Sequence, residues 1–311
     1  MHLHGRRIIN KTMTQTPSLA LLKTMRPPFL ILTPACLFLG YAMARAEGDI
    51  SRFDLFLVLL AGLCAHISVN MLNEYFDYKS GLDANTRRTP FSGGSGALLA
   101  NPEIAGQVLQ FGVISLGVTV LIGAYFLALY GAAILPIGLL GVATVLSYTP
   151  WLNRWPLLCL IAPGLGFGLL MVGGTYFVLT GSYNREVFTL SLVPFFLVNN
   201  LLLLNQIPDI DADREAGRRH FPIHYGLQPS LRIHTLFALV AGLLILNQLA
   251  VGYLPSGAAI ALASVAAGLV AGWGIRRVGP GGNMPPFLAL NVLSAIVTPV
   301  LLGICLLTQA G

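Results

Sequence analysis

Twelve acidic residues occur in this 311-residue chain, and seven of them fall in two short segments. The first, HISVNMLNEYFDYKSGLDANTRRTPFSGGSG from His66, carries Glu74, Asp77 and Asp83 together with Asn70 and Asn73. The second, NNLLLLNQIPDIDADREAGRRHFPIHYG from Asn199, carries Asn205, Asp209, Asp211, Asp213 and Glu215. Asn73-x₃-Asp77 recurs as Asn205-x₃-Asp209, 132 residues later. Carboxylates and amides at this spacing, with no His or Cys ligand set, suit a hard ion such as magnesium (Mg²⁺). That ion takes one or two carboxylates and fills its shell with phosphate oxygens. Lys79, Arg87 and Arg88 follow the first segment, and Arg214, Arg218 and Arg219 the second. Guanidinium groups bind phosphate bidentately and Lys binds it as a point charge. Two such clusters imply more than one Mg²⁺ around a diphosphate.

Helical spacing sorts these residues. His66, Asn70, Asn73 and Asp77 are three or four apart and share one face. Gly81 is expected to cap that helix, leaving Asp83 in the loop beyond it. Asn205, Asp209 and Asp213 follow one another at steps of four, whereas Asp211 lies about 200° round from its neighbours and is expected to point away. Pro208 demands a kink or a restart between Asn205 and Asp209. An acidic pair at a helix end is ordinarily a solvated cap; the duplication is what argues for a site. His220 and His224 are also four apart, but Pro222 between them argues against a shared face and a zinc pair. The FSGGSG run after the first motif lacks the GK[ST] of a P-loop, and is read as a phosphate cradle, a lid or a linker.

The elements that must carry these residues are membrane helices. Apolar residues make up 55% of the chain and charged ones 10%, far from soluble averages. Nine apolar stretches approach the roughly 20 residues needed to cross a bilayer: 28–46, 55–72, 108–130, 132–148, 157–180, 188–204, 236–254, 257–275 and 287–307. The third and fourth are separated only by Gly131. With the N-terminus inside, 15 of the 18 Lys and Arg fall on the cytoplasmic side, and only Arg45, Arg52 and Arg185 outside. The net charge of +6 and pI near 9.3 are therefore read as topology signals and an anion site rather than a nucleic-acid surface. Four spans separate the two motifs, so both face the cytoplasm. The expected architecture is all-α and integral to the membrane: nine transmembrane helices around a central cavity, with cytoplasmic cap loops after helices 2 and 6. Residues 1–27 form a basic cytoplasmic segment without a secretory signal, and residues 28–307 the membrane domain. Cys36, Cys64, Cys159 and Cys305 all fall within predicted spans without CxxC spacing, as packing residues.

From residue 28 to 307 the chain resembles the UbiA superfamily of intramembrane aromatic prenyltransferases. Asn73-x₃-Asp77-x₅-Asp83 resembles that family's first aspartate motif, and Asp209-x₃-Asp213 its second. NEYFDYKSGLD and DADREAG are most similar to the branch that prenylates 1,4-dihydroxy-2-naphthoate on the way to menaquinone. The resemblance implies an electrophilic mechanism, with Mg²⁺ held by Asn73, Asp77, Asp209 and Asp213 and a polyprenyl diphosphate as donor. Asn70, Asn205, Lys79, Arg88 and Arg218 are the expected substrate-binding residues. Asp83 would order the loop or assist the acceptor, and Tyr148 would shield the cation, although a membrane-interface Tyr is the plainer role for it. In YTPWLNRWP the family's usual Lys is replaced by Asn153, and Arg154 is expected to supply the charge one residue on. His66 is read either as an acceptor contact or as a buried, satisfied histidine. Partners implied are the bilayer, the prenyl diphosphate and an aromatic acceptor, with neither nucleic acid nor an obligate protein, in a prokaryotic plasma membrane. The acceptor stays open between a naphthoate, a hydroxybenzoate, a porphyrin-type ring and a glycerol phosphate. The rival from another class is a cation-coupled transporter, which would place its carboxylates at mid-span rather than at helix ends.

Overall fold

The computed structural model describes residues 16–82, 88–279 and 281–309, and all regular structure among them is helical. The long helices are α1 (Leu32–Glu47), α2 (Arg52–Ser80), α3 (Ala105–Tyr130), α4 (Leu135–Ser147), α5 (Pro156–Thr180), α6 (Arg185–Asn205), α7 (Leu227–Ala250), α8 (Ala261–Val278) and α9 (Pro285–Gln309). Among the described residues, eight stretches are long and apolar enough to cross a bilayer. One fewer than expected arises because Pro102–Ser147 runs through 46 residues with no polar loop to divide it. Gly131 breaks it all the same. Its φ of +61° is open to glycine at little cost, and a single 3₁₀ turn, Gly131–Ile134, leads into α4.

Helix α6 lies at the centre. Its Leu190, Val193, Leu197 and Val198 pack with Leu39 and Met43 of α1, Tyr176 of α5, Ala238 of α7 and Ala295 of α9. Lipid tails are as apolar as these side chains, so close fit rather than expulsion from water holds such helices together. Glycines on α5 permit close approach to the α6 backbone. A Cβ on Gly164 would lie 2.2 Å from the Phe195 carbonyl oxygen, and one on Gly168 2.4 Å from the Phe195 amide nitrogen. Pro163 interrupts the α-helical hydrogen bonds of α5, which continues as a π-helix over Leu165–Gly173. Asn199 of α6 accepts from the Gly164 N–H at 2.6 Å. Gly166, Phe167 and Leu170 of this widened stretch form part of a cavity wall.

The described residues before α1 pack on the bundle. A short helix, Pro17–Thr24, buries Ala20 against Met71, Leu98 and Val108. Asn70 then donates to the Met25 carbonyl at 2.9 Å.

Candidate active site

Helix α2 ends as its sequence dictates, with Gly81 in the left-handed conformation at φ +77°. Its last turns carry Asn70, Asn73 and Asp77 along one face. Helix α6 stops at Asn205, the chain turns through Pro208, and a new helix, Ile210–Glu215, starts after Asp209. The Asp213 N–H donates to the Asp209 carbonyl at 2.9 Å, so the four-residue step survives the restart. Asp211 is exposed and pairs with Arg214 at 3.0 Å, pointing away from the other carboxylates as its angular offset requires.

The two motifs meet through one side chain. Arg218 donates one amino group to Asp77 Oδ1 and the other, at 2.9 Å, to Asp213 Oδ1. His220, almost fully buried, lies 2.8 Å from Asp213 Oδ2 through Nε2. Burial opposes the charge on Arg218, but Asp77 and Asp213 outweigh it and raise its pKa beyond the usual arginine value. Asp209 accepts the Gly93 N–H at 2.9 Å through Oδ2, while its Oδ1 is buried without a partner. Burial, then the charge of Asp213, pushes its pKa up to about 7. Asn205 likewise holds a buried, unpartnered Oδ1.

These groups form the polar end of a cavity of about 700 Å³, lined there by Asn73, Asp77, Asn205, Asp209, Asp213 and Arg218. The remainder is apolar, with walls that include Leu116, Val120, Phe126, Leu135, Ile137 and Leu170. Val58 and Asp77, both on α2, line it at sites 19 residues apart, so it extends about 28 Å along that helix at 1.5 Å per residue. The space suits a molecule with a charged head and a long apolar tail.

Other expected residues divide clearly. Asn70 and Tyr148 line the cavity, as does His66, whose Nδ1 meets the Thr33 hydroxyl at 2.8 Å and whose ring stands edge-on to Phe167. Asn73 donates to Thr149 at 3.1 Å, which fixes its carboxamide. Lys79 is exposed, with its ammonium 5.7 Å from the Tyr75 ring centroid, and does not line the cavity. Arg88 is exposed with its guanidinium packed on Gly96, and Arg154 is also exposed; neither lines the cavity. Asn153, not Arg154, reaches the wall. Asp83 lies outside the described residues. His220 is buried on Asp213 while His224 is exposed, so they form no pair.

Two features, Arg26 and Glu74, escaped the sequence reading. Arg26 lines the polar end, 48 residues before the carboxylate it binds, Glu74. Glu74 sits in the first motif but was grouped only by its charge. Ser92, Gly93 and Gly94 of the FSGGSG run also line the cavity. The sequence offers that run as a phosphate cradle, a lid or a linker, whereas nothing local marks Arg26, whose contact with Glu74 joins segments far apart in the chain.

The donor set fits Mg²⁺. Oxygen atoms dominate it, and two of them, on Asn205 and Asp209, are buried with nothing to bind. Among the described residues no three His, Cys, Asp or Glu side chains converge into a ready-made cage. Mg²⁺ itself takes few protein ligands and completes its shell with substrate oxygens.

Comparison with known proteins gives a consistent result. The chain is 28% identical over 228 residues to the 1,4-dihydroxy-2-naphthoate octaprenyltransferase of Haemophilus influenzae, covering 71% of this chain and 74% of that one. It is 28% identical over 210 residues to the Bacillus subtilis protein of the same name, covering 65% and 64%. Among solved structures, a UbiA homologue from Archaeoglobus fulgidus bound to GPP and Mg²⁺ superposes with a TM-score of 0.66 at 16% identity, over 93% of this chain and 99% of that one. The same homologue bound to DMAPP and Mg²⁺ gives 0.65 at 17% identity, with the same coverage. At such identities the likeness is one of fold. The model of the UbiA prenyltransferase family matches residues 31–307, and the chain belongs to that family.

Proposed function

We propose that this protein transfers a polyprenyl group from an allylic polyprenyl diphosphate to an aromatic acceptor, 1,4-dihydroxy-2-naphthoate, in an Mg²⁺-dependent reaction. The observation that carries this reading is the union of Asp77, Asp213 and Arg218 at the polar end of an otherwise apolar cavity. The relatives named as octaprenyltransferases of that naphthoate support the acceptor.

Asn73, Asp77, Asp209 and Asp213 would hold Mg²⁺, with the free oxygen of Asn205 beside them. Bound there, the ion would draw charge from the diphosphate and make it a better leaving group. Arg218 sets a fixed positive charge at this end, and such preorganised charge stabilises a departing anion without reorganisation. The carbon–oxygen bond to the allylic carbon breaks with its electron pair on the diphosphate, the acceptor ring then bonds to that carbon, and the attacked ring carbon expels the group it carried, a proton or its carboxylate as CO₂, to restore aromaticity. Tyr148 offers an aromatic face to the cationic carbon. The apolar walls exclude water, which would otherwise trap the cation as an alcohol.

Gly131 supports two crossings within Pro102–Ser147, since 46 residues of helix would extend about 69 Å, over twice the hydrocarbon thickness. Nine crossings follow, with the N-terminus, both motifs and the basic loops on the cytoplasmic side of a plasma membrane. Incubation of detergent-solubilised protein with Mg²⁺, a set of polyprenyl diphosphates and a panel of aromatic acceptors tests the reading. Prenylated naphthoate is expected. Turnover with another ring alone would reassign the acceptor, and no diphosphate release from any donor would overturn the enzymatic reading.

A further inference from the structure

We propose that Glu74 is a positioning residue that holds two separate cavity-lining segments, the Arg26 guanidinium and the loop 91–96, around the diphosphate head of the donor. The proposal rests on the prenyltransfer reading above.

Glu74 is 1% exposed and does not itself line the cavity, although its neighbours Asn73 and Asp77 do. A buried carboxylate is costly unless fully hydrogen-bonded and paired. Here its Oε1 accepts from Arg26 Nε at 2.9 Å and from the Ser95 N–H at 2.7 Å, and its Oε2 accepts from the Ser95 hydroxyl at 2.7 Å. Both donors belong to segments that reach the cavity. Arg26 lines its polar end, and Ser92, Gly93 and Gly94 stand immediately before Ser95.

Each segment also has a backbone that needs holding. Arg26 is the sole non-glycine among the described residues with positive φ, at +54°, a conformation that persists only when its surroundings enforce it. In the loop, Gly93, Gly94 and Gly96 all have positive φ, so glycines define its path but supply no side-chain contacts. Two carboxylates receive its amides instead: Asp209 takes the Gly93 N–H at 2.9 Å and Glu74 that of Ser95. Glu74 therefore ties the first motif to the loop, and through Gly93 to the second.

The test compares Glu74→Gln, Ser95→Ala and the double variant with the full-length wild type in detergent. Ser95→Ala removes one donor and leaves the Arg26 pair intact, so it serves if Glu74→Gln does not fold. Both single variants are expected to speed amide exchange of residues 91–96. Both should raise KM for the prenyl diphosphate, by about tenfold in Glu74→Gln, since small misplacements of binding groups cost 10- to 100-fold. KM for the acceptor should change less than about twofold, as Glu74 acts on the diphosphate end alone. The double variant should be no worse than Glu74→Gln, because both changes break one linkage. Unchanged loop exchange and donor KM in folded variants would overturn the proposal. So would equal losses for donor and acceptor alongside a lower melting temperature, which mark general loosening. If the wild type turns over no donor, the prenyltransfer reading fails, and loop exchange alone decides whether Glu74 holds the loop.

Discussion

Gly93 donates its amide to Asp209 Oδ2 at 2.9 Å, while the second oxygen of that carboxylate is buried without a partner. The Gly93 amide, the Ser92 side chain and the Arg218 charge do not offset the burial and the charge of Asp213, and the pKa of Asp209 rises to about 7. Below that pH the carboxyl of the metal-free protein carries a proton that a cation must displace, and above it the site is ready to bind. The Mg²⁺ concentration for half-maximal activity is therefore expected to rise as pH falls from 8 to 6, by up to about tenfold per unit below 7 if one proton competes. Mg²⁺ titrations of diphosphate release at pH 6, 7 and 8 check this. The same half-saturating concentration at all three would remove Asp209 from the metal site.

Arg218 spans two carboxylates from distant parts of the chain, a task suited to a planar, forked cation. Lysine in its place keeps the charge but reaches one carboxylate at a time. For Arg218→Lys, kcat/KM should fall about 10- to 100-fold. Arg218→Gln should fall further, on the order of 1000-fold, because the preorganised positive charge at the diphosphate end is then lost altogether and Asp77 and Asp213 lose their common partner. Steady-state kinetics with the donor varied measures both, and equal activity in the two variants would mean that charge at this position is immaterial.

Sequence alone located the carboxylates because repeated spacing and helical angles are local properties. The duplicate of Asn73-x₃-Asp77, the Gly81 cap, the restart at Pro208 and the outward turn of Asp211 all follow from a few neighbouring residues. The bonds of Glu74 to Arg26 and Ser95, and of Asp209 to Gly93, link positions with no shared period, so nothing in either segment announces them. Lys79 shows that nearness to a motif does not by itself give direction. Two residues beyond Asp77 it is about 200° round the helix, the same offset that turns Asp211 outward.

That geometry makes a prediction about the basic residues. Lys79 and Arg154 are exposed and off the cavity. Lys79→Gln and Arg154→Gln should each change kcat/KM for the prenyl diphosphate by less than about threefold, the range usual for surface charges screened by solvent. A loss of 100-fold in either variant, measured beside Arg218→Lys, would show that the side chain swings into the cavity when the donor binds.

The apolar arm of the cavity offers a last test, directed at the donor's tail. Gly123 of α3 lines it, and a Cβ there would meet nothing within 4 Å. Gly112, on the same helix, packs against Leu72 nearer the polar end. Gly123 lies 11 residues further on, about 16 Å deeper at 1.5 Å per residue. A phenylalanine at this position would project into the space rather than into a neighbouring helix, and would improve helix propensity over glycine. Gly123→Phe is therefore expected to fold, to use geranyl diphosphate within about twofold of wild type, and to raise KM for longer polyprenyl diphosphates by about tenfold, as their tails lose apolar contact at about 25 cal/mol per Å². Assays across donor lengths decide it. Equal KM changes for short and long donors would mean that the tail leaves the cavity before reaching Gly123, towards the lipid.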